Sequence, residues 1–170
     1  MGYVHDTAMS QWIPPTMMFG DTAAWGIAAG EVANSVVYAC DATDETANLF
    51  IPVLLPSNSV DMKGAKLVSI EIDFEILTAA CDAMSAVIYK NVRGADGADV
   101  TVSAPTFTYD AGHDSAAERI DVDEHKMTLT LDTPAWVDND HYYWVKVIFD
   151  KAATTTVDVL GAVANYTLRV

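Results

Sequence analysis

The sequence predicts an all-β protein: an antiparallel β-sandwich, a jelly roll of about eight strands, with an extended N-terminal arm. Three observations predict it. Residues Leu67–Ile76 set Val68, Ile70, Ile72, Phe74 and Ile76 on one parity and Ser69, Glu71, Asp73 and Glu75 on the other. Successive strand side chains point to opposite faces, so this is a long strand with one buried face and one wet face. About eight such segments follow one another, separated by turn chemistry, and a helical period is almost absent. Their partly long connections suit a jelly roll, and no fixed-period repeat suggests a propeller or solenoid.

The chain divides into an arm, residues 1–32, and a sandwich domain, residues 33–170. The arm mixes Met9, Trp12, Ile13, Met17, Met18, Phe19 and Trp25 with Pro14-Pro15, Gly20, Gly26 and Gly30. The proline pair favours extended chain and excludes a helix interior. Large apolar groups on such a segment need shelter. It comes either from the arm's own domain or from a neighbouring subunit, with Trp12, Ile13, Met17, Met18, Phe19 and Trp25 as contacts.

Within the domain, Ser35–Cys40 reads as a first strand and Asp41–Thr46 as a polar turn. Leu49–Leu55 is apolar but holds Pro52, which implies an edge strand or a bulge. Pro56-Ser57-Asn58-Ser59 closes it. After the long strand comes Ala83–Val92, whose Val87, Ile88 and Tyr89 suggest burial on both sides, then a turn at Gly94-Ala95-Asp96-Gly97. Val100–Tyr109 reads as one strand. Asp110–His125 is irregular, with capping-box spacing in Ser115-Ala116-Ala117-Glu118. Lys126–Asp132 points Met127, Leu129 and Leu131 inward, and Pro134 with Asp138–Asp140 brackets a loop. His141–Asp150 points Tyr143, Val145, Val147 and Phe149 inward. Val157–Leu160 precedes a kink at Gly161, and Val163–Val170 ends the chain with Ala164, Tyr166, Leu168 and Val170 in register.

Charge excludes one class of function. The chain carries 24 acidic and 9 basic residues, a net charge of −15, with no Lys or Arg before Lys63. Nucleic-acid binding needs clustered cations on phosphates, so no nucleic-acid partner is expected. The first residues lack the basic start and apolar run of a secretory signal, and no stretch reaches the ~20 apolar residues of a membrane helix. The chain is therefore expected to be made in the cytoplasm, without a signal peptide and without a membrane partner. Cys40 and Cys81 lack metal spacing; they are buried thiols or one disulfide.

Candidate chemistry is sparse, and no cofactor, metal or catalytic residue is expected. Glu71, Asp73 and Glu75 line one strand face, which is solvated, covered by a subunit, or cation-binding. Asp121, Asp123 and Glu124, and Asp138 with Asp140, lack the glycine and terminal glutamate of a calcium loop. His113-Asp114-Ser115 sets triad residue types side by side, but a triad converges from distant positions, and no Gly-x-Ser-x-Gly elbow exists. His125 beside Glu124 and His141 beside Asp140 read as loop histidines. Trp136, Tyr142, Tyr143 and Trp144 either fill a core or form a sugar platform. Asn165-Tyr166-Thr167 matches a glycosylation acceptor and reads as strand.

Thr108-Tyr109-Asp110-Ala111-Gly112-His113-Asp114, Glu118-Arg119, Asp123 through Leu129 and Gly161 through Leu168 carry a pattern that resembles small β-sandwich structural proteins of tailed bacteriophages. The resemblance covers roughly residues 50–170. It implies a non-enzymatic virion protein, a head-decoration or fibre-type subunit, with the virion as its location. Its implied partners are copies of itself, a trimer favoured, and other virion proteins. The alternative is a carbohydrate- or receptor-binding module of a viral fibre or cell surface.

Overall fold

The computed structural model of the chain describes residues 5–31, 35–57, 64–94 and 99–169. The expected turn over 95–97, the closing residues Asn58 and Ser59, and Val170 lie outside them. Two antiparallel sheets face one another. The larger has seven strands: β1 (Asp6–Ile13), β3 (Trp25–Ala29), β4 (Val36–Cys40), β6 (Ala65–Leu77), β9 (Phe107–Tyr109), β10 (Glu124–Trp136) and β12 (Thr156–Arg169). The smaller has five: β2 (Phe19–Gly20), β5 (Glu45–Val53), β7 (Ala83–Val92), β8 (Thr101–Ser103) and β11 (His141–Lys151).

The order β4-β12-β6-β10 in one layer and β5-β11-β7-β8 in the other defines the topology. Counted in chain order, these eight strands run first-eighth-third-sixth and second-seventh-fourth-fifth. That interleaving is the jelly roll the sequence predicts. The long strand is central, as expected: β6 lies between β12 and β10, and Ile70, Ile72, Phe74 and Ile76 are fully buried. Its alternation changes phase near its start, where Leu67 rather than Val68 is inside. The register shifts of both neighbours against this part of β6 account for the change. Facing it, Leu49, Ile51, Val145, Val147 and Phe149 close the core.

Of the two shelters open to the leading segment, its own domain is the one its described residues take. β1 pairs with β12 over eight residues, from Asp6↔Arg169 to Ile13↔Ala162, and β3 pairs with β4. A 3-10 turn, Pro15–Met17, carries the chain from one sheet to the other. Ile13, Met18 and Trp25 are 2%, 5% and 7% exposed within this chain's own core, so they are not open to a neighbour. Trp25 stacks on Tyr38 at 5.4 Å and tilts onto Phe149. Trp12, Met17 and Phe19 remain exposed.

One further expectation changes, and the one for Pro52 holds locally. Val100–Tyr109 is two strands in different sheets, because Pro105 interrupts it and the chain crosses layers there. Pro52 sits in a strand flanked on both sides, but β2 covers only Leu49 and Phe50 of it. Beyond Phe50 that strand is an edge, the place a proline tolerates.

Candidate functional site

The inward and outward parities of β5, β7 and β11 decide what the five-stranded sheet presents outside. With Tyr143, Val145, Ile51 and Ile88 inward, Trp144, Tyr142, Phe50, Pro52, Tyr89 and Asn91 face out. Register brings them together: Trp144 opposes Pro52 on one side and Tyr89 on the other, Tyr142 opposes Asn91, and Phe19 opposes Phe50. Phe19 stacks on Phe50 at 4.8 Å and Tyr89 on Trp144 at 4.5 Å, while Phe50 and Trp144 meet at 5.4 Å with a 41° tilt.

Phe19, Phe50, Pro52, Asn91, Tyr142 and Trp144 line a groove of about 320 Å3. None of the six carries a formal charge. Its polar groups are fixed in series. Trp144 Nε1 donates to Asn91 Oδ1 at 2.9 Å, and Asn91 Nδ2 donates to Tyr142 Oη at 2.9 Å. The Tyr142 hydroxyl accepts in that bond, so its own proton is not used in it.

Sequence reasoning found two of the six residues that line this groove. Trp144 and Tyr142 are in the groove. Tyr143 is in the core, where burial pushes its phenol up to about 12 and its hydroxyl donates to the Trp136 carbonyl at 3.0 Å. Trp136 is in the other sheet, covered by the Lys66 ammonium at 4.4 Å and the Arg169 guanidinium at 5.3 Å. The missed residues, Phe19, Phe50, Pro52, Tyr89 and Asn91, come from three other strands. The outward parity of each strand was a readable signal; the strand order that assembles them was not.

The histidines form structural networks. His113 Nδ1 lies 2.9 and 3.1 Å from the two Asp110 oxygens, its Nε2 lies 3.2 Å from His125 Nδ1, and His125 Nε2 lies 2.9 Å from the Asp121 carbonyl. The partner carboxylate is thus Asp110, not Asp114, and the relay ends on a carbonyl, which is no nucleophile. Ser115 is engaged elsewhere: Ser115 N donates to Glu118 Oε2 at 3.1 Å and Glu118 N donates to Ser115 Oγ at 3.3 Å, the reciprocal pair its spacing predicts. Burial raises the Asp110 carboxyl, but bonds from Thr128 N, His113 and Gly112 N outweigh it and hold the group below its ordinary range.

Asp138, Asp140 and His141 bring their ligand atoms within 4.8 Å of one another. His141 is occupied, with Nδ1 2.9 Å from Asp140 Oδ1 and Nε2 2.8 Å from the Trp136 carbonyl and 3.2 Å from Asp138 N. Two carboxylates fall short of the six to eight oxygens of calcium. Among the described residues, Asp121, Asp123 and Glu124 form no such group. Asn165 is a strand residue, as expected, donating to Glu71 Oε1 at 2.7 Å.

Cys40 and Cys81 are free and buried. Burial pushes the Cys81 thiol up to about 11 and raises Cys40 against the opposing Lys151 ammonium, so neither is a ready nucleophile.

On the opposite sheet the carboxylate stripe divides. Lys126 Nζ lies 2.8 Å from Glu71 and holds its carboxyl low, with Asn165 helping. Burial raises Asp73, with Glu71 adding to it and Lys126 opposing. Burial also raises Glu75, reinforced by Glu31, Glu124, Asp158 and Asp123.

No protein-family model and no curated protein matches the chain. Among solved structures, it is similar to TmCBM61 in complex with β-1,4-galactotriose, at 8% identity over 90% of this chain and 87% of that one, TM-score 0.42. It is also similar to a family 29 carbohydrate-binding module from Piromyces equi, at 13% identity over 94% and 91%, TM-score 0.43. A third is a family two carbohydrate esterase from Cellvibrio japonicus, at 5% identity over 98% of this chain and 36% of that one, TM-score 0.47.

Proposed function

We propose that this chain is a non-catalytic carbohydrate-binding module whose ligand lies in the groove of the five-stranded sheet. The observation that carries the reading is the groove's chemistry: an uncharged aromatic cleft on a protein of net charge −15. Pyranose rings present C–H faces that pack on aromatic and proline carbon, and hydroxyls that need a few fixed polar partners. Trp144, Phe50 and Pro52 offer the first; Asn91 and the Tyr142 hydroxyl offer the second. The absence of charge among the six lining residues favours a neutral sugar over an acidic or basic one. The groove lies at the lower end of the ~300–1,000 Å3 of ligand pockets, which suits one end or a short stretch of a glycan.

The test is calorimetry against neutral oligosaccharides selected on a glycan array. Trp144→Ala and Tyr142→Phe are expected to weaken binding by about tenfold or more and about threefold, with unfolding midpoints near that of the parent. An array without a neutral glycan ligand would overturn the reading.

A second reading, a virion assembly subunit, draws support from Trp12, Met17 and Phe19, which stay exposed at 52%, 47% and 56%. It ranks below the first because these groups do not share one surface.

A further inference from the structure

The outer face of the seven-stranded sheet holds a second groove, of about 350 Å3, and its floor is built for one aromatic ring. At Gly161 the pairing of β12 with β6 shifts register. A Cβ added there would meet Trp12 Cη2 at 2.7 Å and Cε2 at 3.0 Å, and Cζ2 between them more closely still. Near-equal reach to three adjacent ring atoms means that Gly161 underlies the face of the indole, not its edge. Trp12 is nevertheless 52% exposed, so the opposite face is open to solvent.

Beside it lie Leu160, Asp73, Glu124, His125 and Lys126. Gly161 pairs with Asp73, and Asp73 pairs with Lys126, so ring, carboxylate and ammonium stand in one row across the sheet. Lys126 makes its ion pair with Glu71. Asp73 makes no hydrogen bond or ion pair among the described residues, and burial disfavours its charged form.

We propose that this groove binds an amino sugar, the pyranose C–H face on Trp12 and Leu160 and the protonated amine between Asp73 and Glu124. An open indole face accepts either a sugar ring or a cation, and the flanking carboxylates add a requirement for positive charge. A neutral ring leaves Asp73 with only the charge of Lys126, whose ion pair is with Glu71, and an anion meets two carboxylates. The site shares no residue with the groove of the five-stranded sheet and stands whether or not that groove binds a glycan.

The probe is the glucosamine disaccharide, titrated into the full chain at mildly acid pH and followed by calorimetry and tryptophan fluorescence, with its N-acetylated form in parallel. The glucosamine form is expected to bind at least about tenfold more tightly than the acetylated one. Trp12→Ala, which leaves net charge unchanged, and Asp73→Asn are each expected to cost about tenfold, while Trp144→Ala leaves binding intact. Equal affinity for the two sugars, no binding of the glucosamine form, or binding that survives Trp12→Ala would each overturn the proposal; the last would mean unspecific attraction to an acidic surface.

Discussion

Asp110 shows how much a single side chain of this protein organises. Its carboxylate accepts from Gly112 N at 2.9 Å, from Thr128 N at 2.6 Å and meets His113 Nδ1 at 2.9 Å. It thereby pins the start of the irregular connection to β10. The folded-state carboxyl is held below its ordinary range, so the folded state binds its proton more weakly than the unfolded chain. The stability this contributes is present above the unfolded pKa near 3.8 and is lost as pH falls through the lower folded value. Asp110→Ala removes three acceptor bonds to a charged group, and about 1.5–3 kcal/mol is expected to go at neutral pH. Urea denaturation checks it: the variant should lose stability at neutral pH and show a shallower loss on acidification. An unchanged midpoint at neutral pH would mean the network is ornamental. The Ser115–Glu118 box was legible because its geometry is local. The Asp110–His113–His125 relay was not, since it depends on the pairing of β9 with β10, which sets Asp110 beside Thr128.

At the scale of elements, the test falls on β1, where the sequence was read least well. Its period is obscured: Thr7, Ala8, Met9, Ser10 and Gln11 are small or mixed, and only Ile13 faces the core. Strands β6, β10 and β11 were legible because each sets a long apolar row against a polar one. Strand β1 is covered on one face only at its end, so the same rule had little to act on. Whether it belongs to the sandwich is nonetheless measurable. Ile13→Ala is expected to cost about 2–5 kcal/mol, the range for emptying a fully packed aliphatic site. An arm lying outside the fold would give the surface value, within about 0.5 kcal/mol. Chemical denaturation separates these outcomes without ambiguity, and the smaller value would undo the assignment of β1 to the core.

For the whole molecule, the question is whether copies of this chain have a surface on which to meet. The apolar groups left outside are divided between layers. Trp12 lies over Gly161 on the seven-stranded sheet, and Phe19 stacks on Phe50 on the five-stranded sheet, with Met17 on the turn between. A single neighbour cannot cover both outer faces. Stable interfaces bury roughly 1,200–2,000 Å2 around a contiguous apolar centre, and none is assembled here from the described residues of the leading segment. Charge acts in the same direction, since each copy carries −15 and part of it is concentrated around Glu75, Glu124 and Asp158. At ~0.1 M salt the screening length is about 10 Å, long enough for two such faces to repel as they approach. Light scattering at that salt is therefore expected to return the mass of one chain across the accessible concentration range. A stable trimer would reverse the ranking of the two functional readings. It would require that burying Trp12 or Phe19 against a partner outweighs that repulsion, and it would close one of the two grooves to sugar.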